Sequence, residues 1–187
     1  MDERTSTTSR NESDQSLLAR VVLHDRDAFR ELYIAYHRRL SRFLMRLTRQ
    51  HDVIEEVIND TLWIVWKQAA SFRNESQVST WIMGIAYRRT LKALKSAGSR
   101  QLIDIDDATL AAPDDYATSE MNEWILRGLN QLPLEQRLVL EFAYDMGHSC
   151  EEIAAIMDCP VNTVKTRLFH ARRKLRDLLP ALAGAVE

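Results

Sequence analysis

The chain has 187 residues, a formal net charge of −2 at pH 7, and only five glycines and four prolines. Its length suffices for one or two domains with cores of their own, and the scarcity of glycine and proline favours an α-helical protein. No stretch approaches the roughly eighteen uninterrupted apolar residues of a membrane span, and the small net charge excludes a global attraction to nucleic acid. The polar N-terminus lacks a signal-peptide core, and Cys150 and Cys159 make no disulfide framework, so a cytoplasmic location is expected.

The N-terminal stretch changes from polar to amphipathic. Residues 1–16 are rich in Ser, Thr, Asp and Glu, which predicts a mobile tail. A short helix is expected over roughly 14–23, and Asp25 or Asp27 can cap the next one. The apolar residues of that second helix keep helical spacing: Phe29, Leu32, Tyr33, Tyr36, Leu40, Phe43 and Leu47. Four arginines then share one face, which indicates either a solvated face or a contact with phosphate or an acidic partner: Arg38, Arg42, Arg46 and Arg49.

A third helix is predicted from about 52 to 69. Its buried face comprises Ile54, Val57, Ile58, Thr61 and Val65. Its opposite face comprises Glu56, Asn59, Asp60, Trp63 and Lys67. An outward Trp among carboxylates and an amide is typical of a protein interface, with an apolar anchor inside a polar rim. The alternative is that another part of the same chain buries Trp63.

A polar loop, residues 71–80, precedes a fourth helix with a basic stripe. The stripe comprises Trp81, Arg88, Lys92 and Lys95. Cations with an aromatic at one end suit a DNA single strand or a distorted duplex, because bases stack on the ring and phosphates pair with the cations. A solvated charged face is the alternative, but polar loops held by helices often carry binding residues.

Residues 97–119 carry five aspartates against one arginine and no sustained period. They predict an acidic linker between a domain at 17–96 and a domain at 120–180, with 181–187 as a tail. The acidity indicates either solubility or imitation of a nucleic-acid backbone. The second domain is expected to open with helices over about 120–131 and 134–145, the latter ended by Gly147.

The stretch 149–176 predicts two helices joined by a very short turn. Ser149 and Glu152 have capping-box spacing, and Pro160 punctuates the turn. The second helix buries Val164, Leu168, Ala171 and Leu175. Its outer face carries Asn162, Thr166, Phe169 and Arg173, flanked by Lys165, Arg172 and Arg176 on one side and Arg167, His170 and Lys174 on the other. This pattern is typical of a recognition helix in a major groove, a basic solvated helix being the alternative.

Several motifs together identify a family. They are DAFRELYIAYHRRL, VINDTLWIVWKQAASFRNES and STWIMGIAYRR in the N-terminal half, and LPLEQRLVLEFAYDMGHSCEEIAAIMDCPVNTVKTRLFHARRKLR in the C-terminal half. In this order and spacing the chain, over about residues 17–180, resembles the extracytoplasmic-function (ECF) sigma factors, promoter-specificity subunits of bacterial RNA polymerase. The resemblance implies an all-α fold of two small helical domains, a region 2 bundle and a region 4 helix–turn–helix domain.

The resemblance also implies site residues and partners. Binding to the clamp helices of the polymerase β′ subunit falls to Glu56, Asn59, Asp60 and Trp63, and the β flap is expected to bind as well. Recognition of the minus-ten element, including capture of a flipped base by the loop, falls to Phe72, Arg73, Asn74, Glu75, Ser76, Trp81, Arg88 and Lys92. Contacts to the minus-thirty-five element fall to Asn162, Thr163, Lys165, Thr166, Phe169, His170 and Arg173. An anti-sigma factor is an expected partner, and the linker is expected to run toward the RNA exit path.

Two positions depart from the family's pattern. Asn162 stands where glycine is usual before Thr-Val, which adds a side chain at the tip of the recognition helix. His170 stands where arginine is common, and histidine is a weaker cation whose charge depends on pH. The sequence that this chain recognises at minus thirty-five is therefore not expected to follow from the family's pattern.

Two other classes of protein compete with this interpretation. A stand-alone helix–turn–helix regulator would bind duplex DNA specifically without polymerase. A metal sensor would use His148, Cys150, Cys159 and His170, but these lack the close pairing of a zinc site, so no metal or cofactor is expected. No glycine-rich phosphate loop, nucleophile elbow or catalytic carboxylate constellation appears in the sequence, so the chain is not expected to be an enzyme.

Overall fold

The computed structural model describes residues 3–45, 47, 48, 50–96, 128, 129 and 131–183. Over these residues it has seven α-helices and no strand. They form two compact units, one centred on the four N-terminal helices and the other on the helix–turn–helix. The predicted linker at 97–119 and most of the predicted helix at 120–131 lie outside the described residues, as do Arg46, Arg49 and Arg100.

The first unit is a bundle of four helices, each of which packs on at least two others. The helices are α1 (Glu3–Val22), α2 (Arg26–Leu44), α3 (His51–Gln68) and α4 (Val78–Ser96), and a 3₁₀ turn (Ala69–Ser71) follows α3. The predicted apolar stripes form its core, in which the fully buried large side chains include Leu32, Tyr36, Leu40, Phe43, Ile54, Ile58, Leu62 and Ile82. Burying one such aliphatic or aromatic side chain stabilises the fold by about 1.5–3 kcal/mol.

The start of α1 differs from the prediction of a mobile tail over residues 1–16. The helix begins at Glu3, and Asp14 is buried. The Tyr36 hydroxyl donates a hydrogen bond of 2.6 Å to the Asp14 carboxylate, and an Arg39 guanidinium nitrogen lies 3.5 Å from it. Burial, and after it the charge of Asp14, raises the pKa of Tyr36 well above its ordinary value, so the phenol remains a donor. The start of α1 has few apolar residues, and the buried Asp14 carboxylate attaches it to α2 through Tyr36 and Arg39. A hydropathy pattern does not reveal a polar contact of this kind.

The predicted cap of α2 is confirmed at Asp25. Its carboxylate accepts hydrogen bonds from the backbone N–H groups of Asp27 at 2.9 Å and Ala28 at 3.1 Å. Arg20 donates to the same carboxylate at 2.9 Å. The bond from Ala28 first, and the one from Arg20 second, lower the pKa of Asp25.

We expect Asp25→Ala to lower the thermal midpoint of unfolding and Asp25→Asn to lower it less, since asparagine keeps a capping oxygen. Because the folded-state pKa is depressed, the carboxylate stabilises the fold above its unfolded pKa near 4, and the effect is lost as pH falls through the lower folded pKa. Thermal unfolding of both variants from pH 7 to pH 2.5 measures this. A gap between wild type and Asp25→Asn that stayed constant down to pH 2.5 would contradict it.

The second unit contains α5 (Leu134–Leu140), most of α6 (Cys150–Met157) and α7 (Val161–Ala183). A single helix was expected over 134–145, but α5 ends at Leu140 and a π-helical turn follows (Glu141–Asp145), in which the Met146 N–H donates to the Glu141 carbonyl at 3.0 Å. Gly147 then takes a φ of +72°, in the left-handed region that favours glycine. The helical segment therefore ends near the predicted residue, with one widened turn.

The predicted capping box of α6 is confirmed. The Ser149 hydroxyl accepts from the Glu152 N–H at 3.2 Å, and the Glu152 carboxylate accepts from the Ser149 N–H at 2.8 Å. At the other end of α6, Asp158 has a φ of +52°, a conformation that a short polar side chain tolerates. The chain turns there and enters α7 at Val161. This short turn fixes the direction of α7.

Candidate nucleic-acid interface

Helix α7 presents the two faces that its sequence predicts. Val164, Leu168 and Ala171 are buried, and Leu175 is half-buried. On the opposite side Phe169 is 60% exposed. The other predicted contact residues of this helix are exposed, except Thr163, which is half-buried: Asn162, Lys165, Thr166, His170 and Arg173. An aromatic ring is thus held out among polar and cationic side chains by a buried apolar stripe.

Two local contacts shape the outer face of α7. The Thr166 hydroxyl donates to the Asn162 carbonyl at 2.8 Å, so its proton is used inside the helix while its lone pairs can accept from a base edge. The rings of Phe169 and His170 lie 5.5 Å apart at 71°, an edge-to-face arrangement. The histidine therefore supports one side of the exposed phenyl ring.

The flanking cations of α7 are less uniform than the sequence indicates. Arg167, predicted on one flank, is half-buried and forms an ion pair with Glu135, and its guanidinium also lies 3.6 Å from the Cys159 sulfur. The Arg172 guanidinium lies 5.5 Å from the centre of the Tyr144 ring, a cation–π contact. Arg167 therefore joins α7 to α5, whereas Lys165 and Arg173 extend into solvent.

The loop before α4 is held at both ends. Phe72 and Trp81 are half-buried with ring centres 5.3 Å apart. Asn74 has a φ of +59° and accepts a hydrogen bond of 2.8 Å from the Gln15 amide. Of the other predicted loop residues, Arg73 and Glu75 are exposed and Ser76 is half-buried. The loop therefore presents polar side chains beside a pair of aromatic rings that are tilted at 41° to each other.

The basic stripe follows from this loop along α4. Arg88 and Lys92 are exposed, while the side chain of Lys95 lies outside the described part. Gly84 leaves room for the Arg88 guanidinium, because a Cβ built on Gly84 would stand 3.3 Å from its nearer terminal nitrogen. The structure thus brings Trp81, Arg88 and Lys92 onto one helix whose N-terminus carries the loop.

The outward face of α3 is polar around one exposed aromatic. Trp63 is 57% exposed, so the described part of the chain does not bury it. The Lys67 ammonium lies 4.8 Å from the centre of its ring. The Asn59 amide oxygen accepts from the Tyr33 hydroxyl at 3.0 Å, and Asp60 lies 3.5 Å from an Arg89 guanidinium nitrogen. Glu56 is exposed. The rim of Trp63 is therefore partly fixed in place by α2 and α4.

Neither a membrane span nor a metal cluster is found within the described ranges. None of their helices is long and apolar enough to cross a membrane. Across 3–45, 50–96 and 131–183, no three His, Cys, Asp or Glu side chains converge on a position that could hold a metal ion.

Comparison with known proteins identifies the family. The family model described as Sigma-70 region 2 matches residues 32–100, and that described as Sigma-70, region 4 matches residues 122–175. The chain is 30% identical over 177 residues to the ECF RNA polymerase sigma-E factor of Escherichia coli, covering 87% of this chain and 92% of that protein. It is 31% identical over 174 residues to the ECF RNA polymerase sigma factor SigM of Mycobacterium tuberculosis, covering 93% and 88%. The chain belongs to the ECF RNA polymerase sigma factors.

Solved structures share this sigma factor's fold. The sigma factor RpoE, in complex with the anti-sigma factor NepR from Bartonella quintana, matches with a TM-score of 0.64 at 25% identity, covering 81% of this chain and 96% of that one. CnrH, in complex with the cytosolic domain of CnrY, has the same fold with a TM-score of 0.62 at 21% identity, covering 90% and 98%. The predicted fold class, all-α with region 2 and region 4 domains, is confirmed.

Family membership settles the class of function. The protein is an alternative sigma factor, which directs transcription initiation by RNA polymerase at a class of promoters. The region 2 match covers most of α2 together with α3, the loop and α4, and the region 4 match covers α5, α6 and most of α7. Helix α1 precedes both matches. The contact of Gln15 with the loop was not predicted from the sequence. The feature of the sequence that points to it is a pair of amide side chains four residues apart, Asn11 and Gln15, which lie on one face of a helix.

Proposed function

We propose that this sigma factor divides promoter recognition between its two units, with α7 in the major groove of the minus-thirty-five element. The observation that carries this is Phe169, exposed on a helix whose opposite face is buried. Its ring can contact a thymine methyl group, and Thr166 and Asn162 can reach neighbouring base edges. Lys165 and Arg173 supply phosphate contacts, which position the helix without recognising sequence. Thr163 and His170 complete the proposed surface.

We expect Lys165→Ala to weaken binding of the polymerase holoenzyme to promoter DNA without changing the preferred minus-thirty-five sequence. Loss of one phosphate contact reduces the slope of log affinity against log salt concentration by about 0.9. The slope is obtained by measuring the affinity of the holoenzyme for promoter DNA at salt concentrations from about 50 to about 200 mM. Arg30→Ala, which removes an exposed cation of α2 outside the proposed surfaces, serves as control and leaves the slope unchanged. A changed base preference in Lys165→Ala would contradict the assignment.

Residues 72–80, which comprise the loop and the first residues of α4, and the stripe of α4 are proposed to melt and hold the minus-ten element. Flipping one base out of the duplex costs a few kcal/mol of stacking, which a pocket must recover. The loop offers polar groups from Arg73, Asn74, Glu75 and Ser76, beside the rings of Phe72 and Trp81. Downstream on α4, Arg88 can reach a base and Lys92 a phosphate of the single strand.

The face of α3 around Trp63 is proposed to bind the clamp helices of the polymerase β′ subunit. An exposed ring anchored by Lys67 and surrounded by Glu56, Asn59 and Asp60 has the composition of an interface hot spot within a polar rim. Residues 17–96 would act as the region 2 domain and 120–180 as the region 4 domain, which also meets the β flap. The acidic segment 97–119 would serve as the linker toward the RNA exit path.

Regulation by an anti-sigma factor is proposed as well. The structural relative RpoE was solved in complex with the anti-sigma factor NepR. On this chain Trp63 and Phe169 are exposed aromatic side chains that such a partner can cover, blocking polymerase and DNA together. We infer a cytoplasmic site of action and no catalysis of its own, since the chemistry belongs to polymerase.

Run-off transcription on a promoter library tests the proposed function. Core polymerase is assayed with and without the protein, and the transcribed promoters are sequenced. The expected result is a set of transcripts whose promoters share two short elements at a fixed spacing. An active core that gave no promoter-selective transcript with the protein would overturn the proposal.

A further inference from the structure

Helix α1 contacts the loop of the proposed minus-ten site at two points. The Gln15 amide nitrogen donates to the Asn74 amide oxygen at 2.8 Å, and the Val78 N–H donates to the Asn11 amide oxygen at 3.2 Å. Asn11 and Gln15 are four residues apart, so they lie on the same face of α1. That face of α1 therefore contacts the loop at Asn74 and contacts the first residue of α4, Val78.

The bond from Val78 caps α4 with a side chain from another helix. The first N–H groups of an α-helix have no partner inside the helix, and a side-chain oxygen commonly accepts one of them. Here the acceptor comes from Asn11, 67 positions earlier in the chain. The start of α4, and with it the base of the loop, is thereby tied to α1.

The bond from Gln15 fixes an uncommon backbone conformation. Asn74 has a φ of +59°, which is unfavourable for most residues and tolerated by asparagine. Such a conformation persists when the surrounding structure holds it in place. Between Asn74 and Val78 lie Glu75, Ser76 and Gln77, whose positions are set by the two tethered ends.

We propose that Asn11 and Gln15 are positioning residues that hold the loop in its base-capturing shape, and so set selectivity at the minus-ten element without touching DNA. The inference rests on the proposed role of the loop. A pocket that is ordered before binding discriminates better, because a loose pocket adapts to the wrong base and loses binding energy to ordering. Since α1 precedes the region 2 match, this support lies outside the matched residues.

The test measures base selectivity in Asn11→Ala and Gln15→Ala. With core polymerase, the run-off transcript from the preferred promoter is divided by that from a promoter substituted at the captured base. Losing a cap or a single hydrogen bond is expected to lower this ratio about fivefold. Asn11→Asp, which keeps an oxygen for the Val78 N–H, restores the ratio. Binding to core polymerase is unchanged in all three variants.

A control variant, an exchange measurement and two opposing outcomes make the test decisive. Glu12→Ala, which changes an exposed residue of the same helix turn, keeps the wild-type ratio. Faster amide exchange at Val78 in Asn11→Ala shows directly that the tether is lost. Equal loss of transcription from both promoters, with the ratio unchanged, would assign α1 a merely structural role and overturn the inference. A wild-type protein that did not discriminate at that base would instead overturn the proposed role of the loop.

Discussion

Replacing Trp63 with alanine is expected to weaken binding of the sigma factor to core polymerase by about thirtyfold or more. Truncating an aromatic hot spot at the centre of an interface commonly costs 2 kcal/mol or more, which corresponds to about that factor. Trp63 fits this description because its ring is 57% exposed and lies against the Lys67 ammonium. Its neighbours Asn59 and Asp60 are held by Tyr33 and Arg89, so the rim is ordered before the partner arrives.

Equilibrium binding of labelled protein to core polymerase measures this loss. Leu23→Ala is the matched control, since Leu23 is a large apolar residue of the same unit that is 79% exposed and lies off the proposed surface. It is expected to bind as wild type does. Wild-type affinity in Trp63→Ala would show that the face of α3 is not the polymerase contact.

Phe169→Ala is expected to relax the minus-thirty-five preference at one base pair, by about 5- to 150-fold, while binding to core polymerase stays intact. A mismatched base pair in a recognition site typically costs about 1–3 kcal/mol. The ring is available for a base contact because its helix buries Val164, Leu168 and Ala171 on the other side. Phe169→Leu, which keeps an apolar group at the position, is expected to retain part of the preference.

Removing the methyl group from DNA tests the same contact from the other side. If Phe169 touches a thymine, a promoter with uracil at that position should lose affinity for the wild-type holoenzyme. The same substitution should have little further effect on Phe169→Ala, because the two changes remove one interaction. Additive losses would assign the thymine methyl to another residue, and loss of core binding in Phe169→Ala would refute the separation of the two surfaces.

Features set by neighbouring residues were predicted well from the sequence. The faces of α7 follow from a 3.6-residue period, and the cap at Asp25 and the capping box at Ser149 depend on residues within one turn. The exposure of Phe169 follows from the same periodicity. For Trp63 the helical period predicts that the side chain lies opposite the buried face of α3. The packed structure was needed to show that the described part of the chain leaves Trp63 exposed.

Features that depend on polar contacts between distant residues were not predicted. The Gln15–Asn74 bond joins positions 59 apart, and a polar segment gives no hydrophobic period from which to place it. The burial of Asp14 depends on Tyr36 and Arg39 in another helix, so composition alone predicted a tail there. For the same reason Arg167 was assigned to a DNA-facing flank, since its partner Glu135 lies in α5.

The central claim is that the two units recognise different promoter elements. The most direct test is to select promoters from one library with each of two variants and to compare the base preferences. The library randomises both elements, and the holoenzyme contains wild-type protein, Phe169→Ala or Asn74→Ala. Division of recognition between the units predicts that Phe169→Ala relaxes preference in the minus-thirty-five element alone, and Asn74→Ala in the minus-ten element alone. Relaxation of both elements by either variant, or of the same element by both, would contradict it.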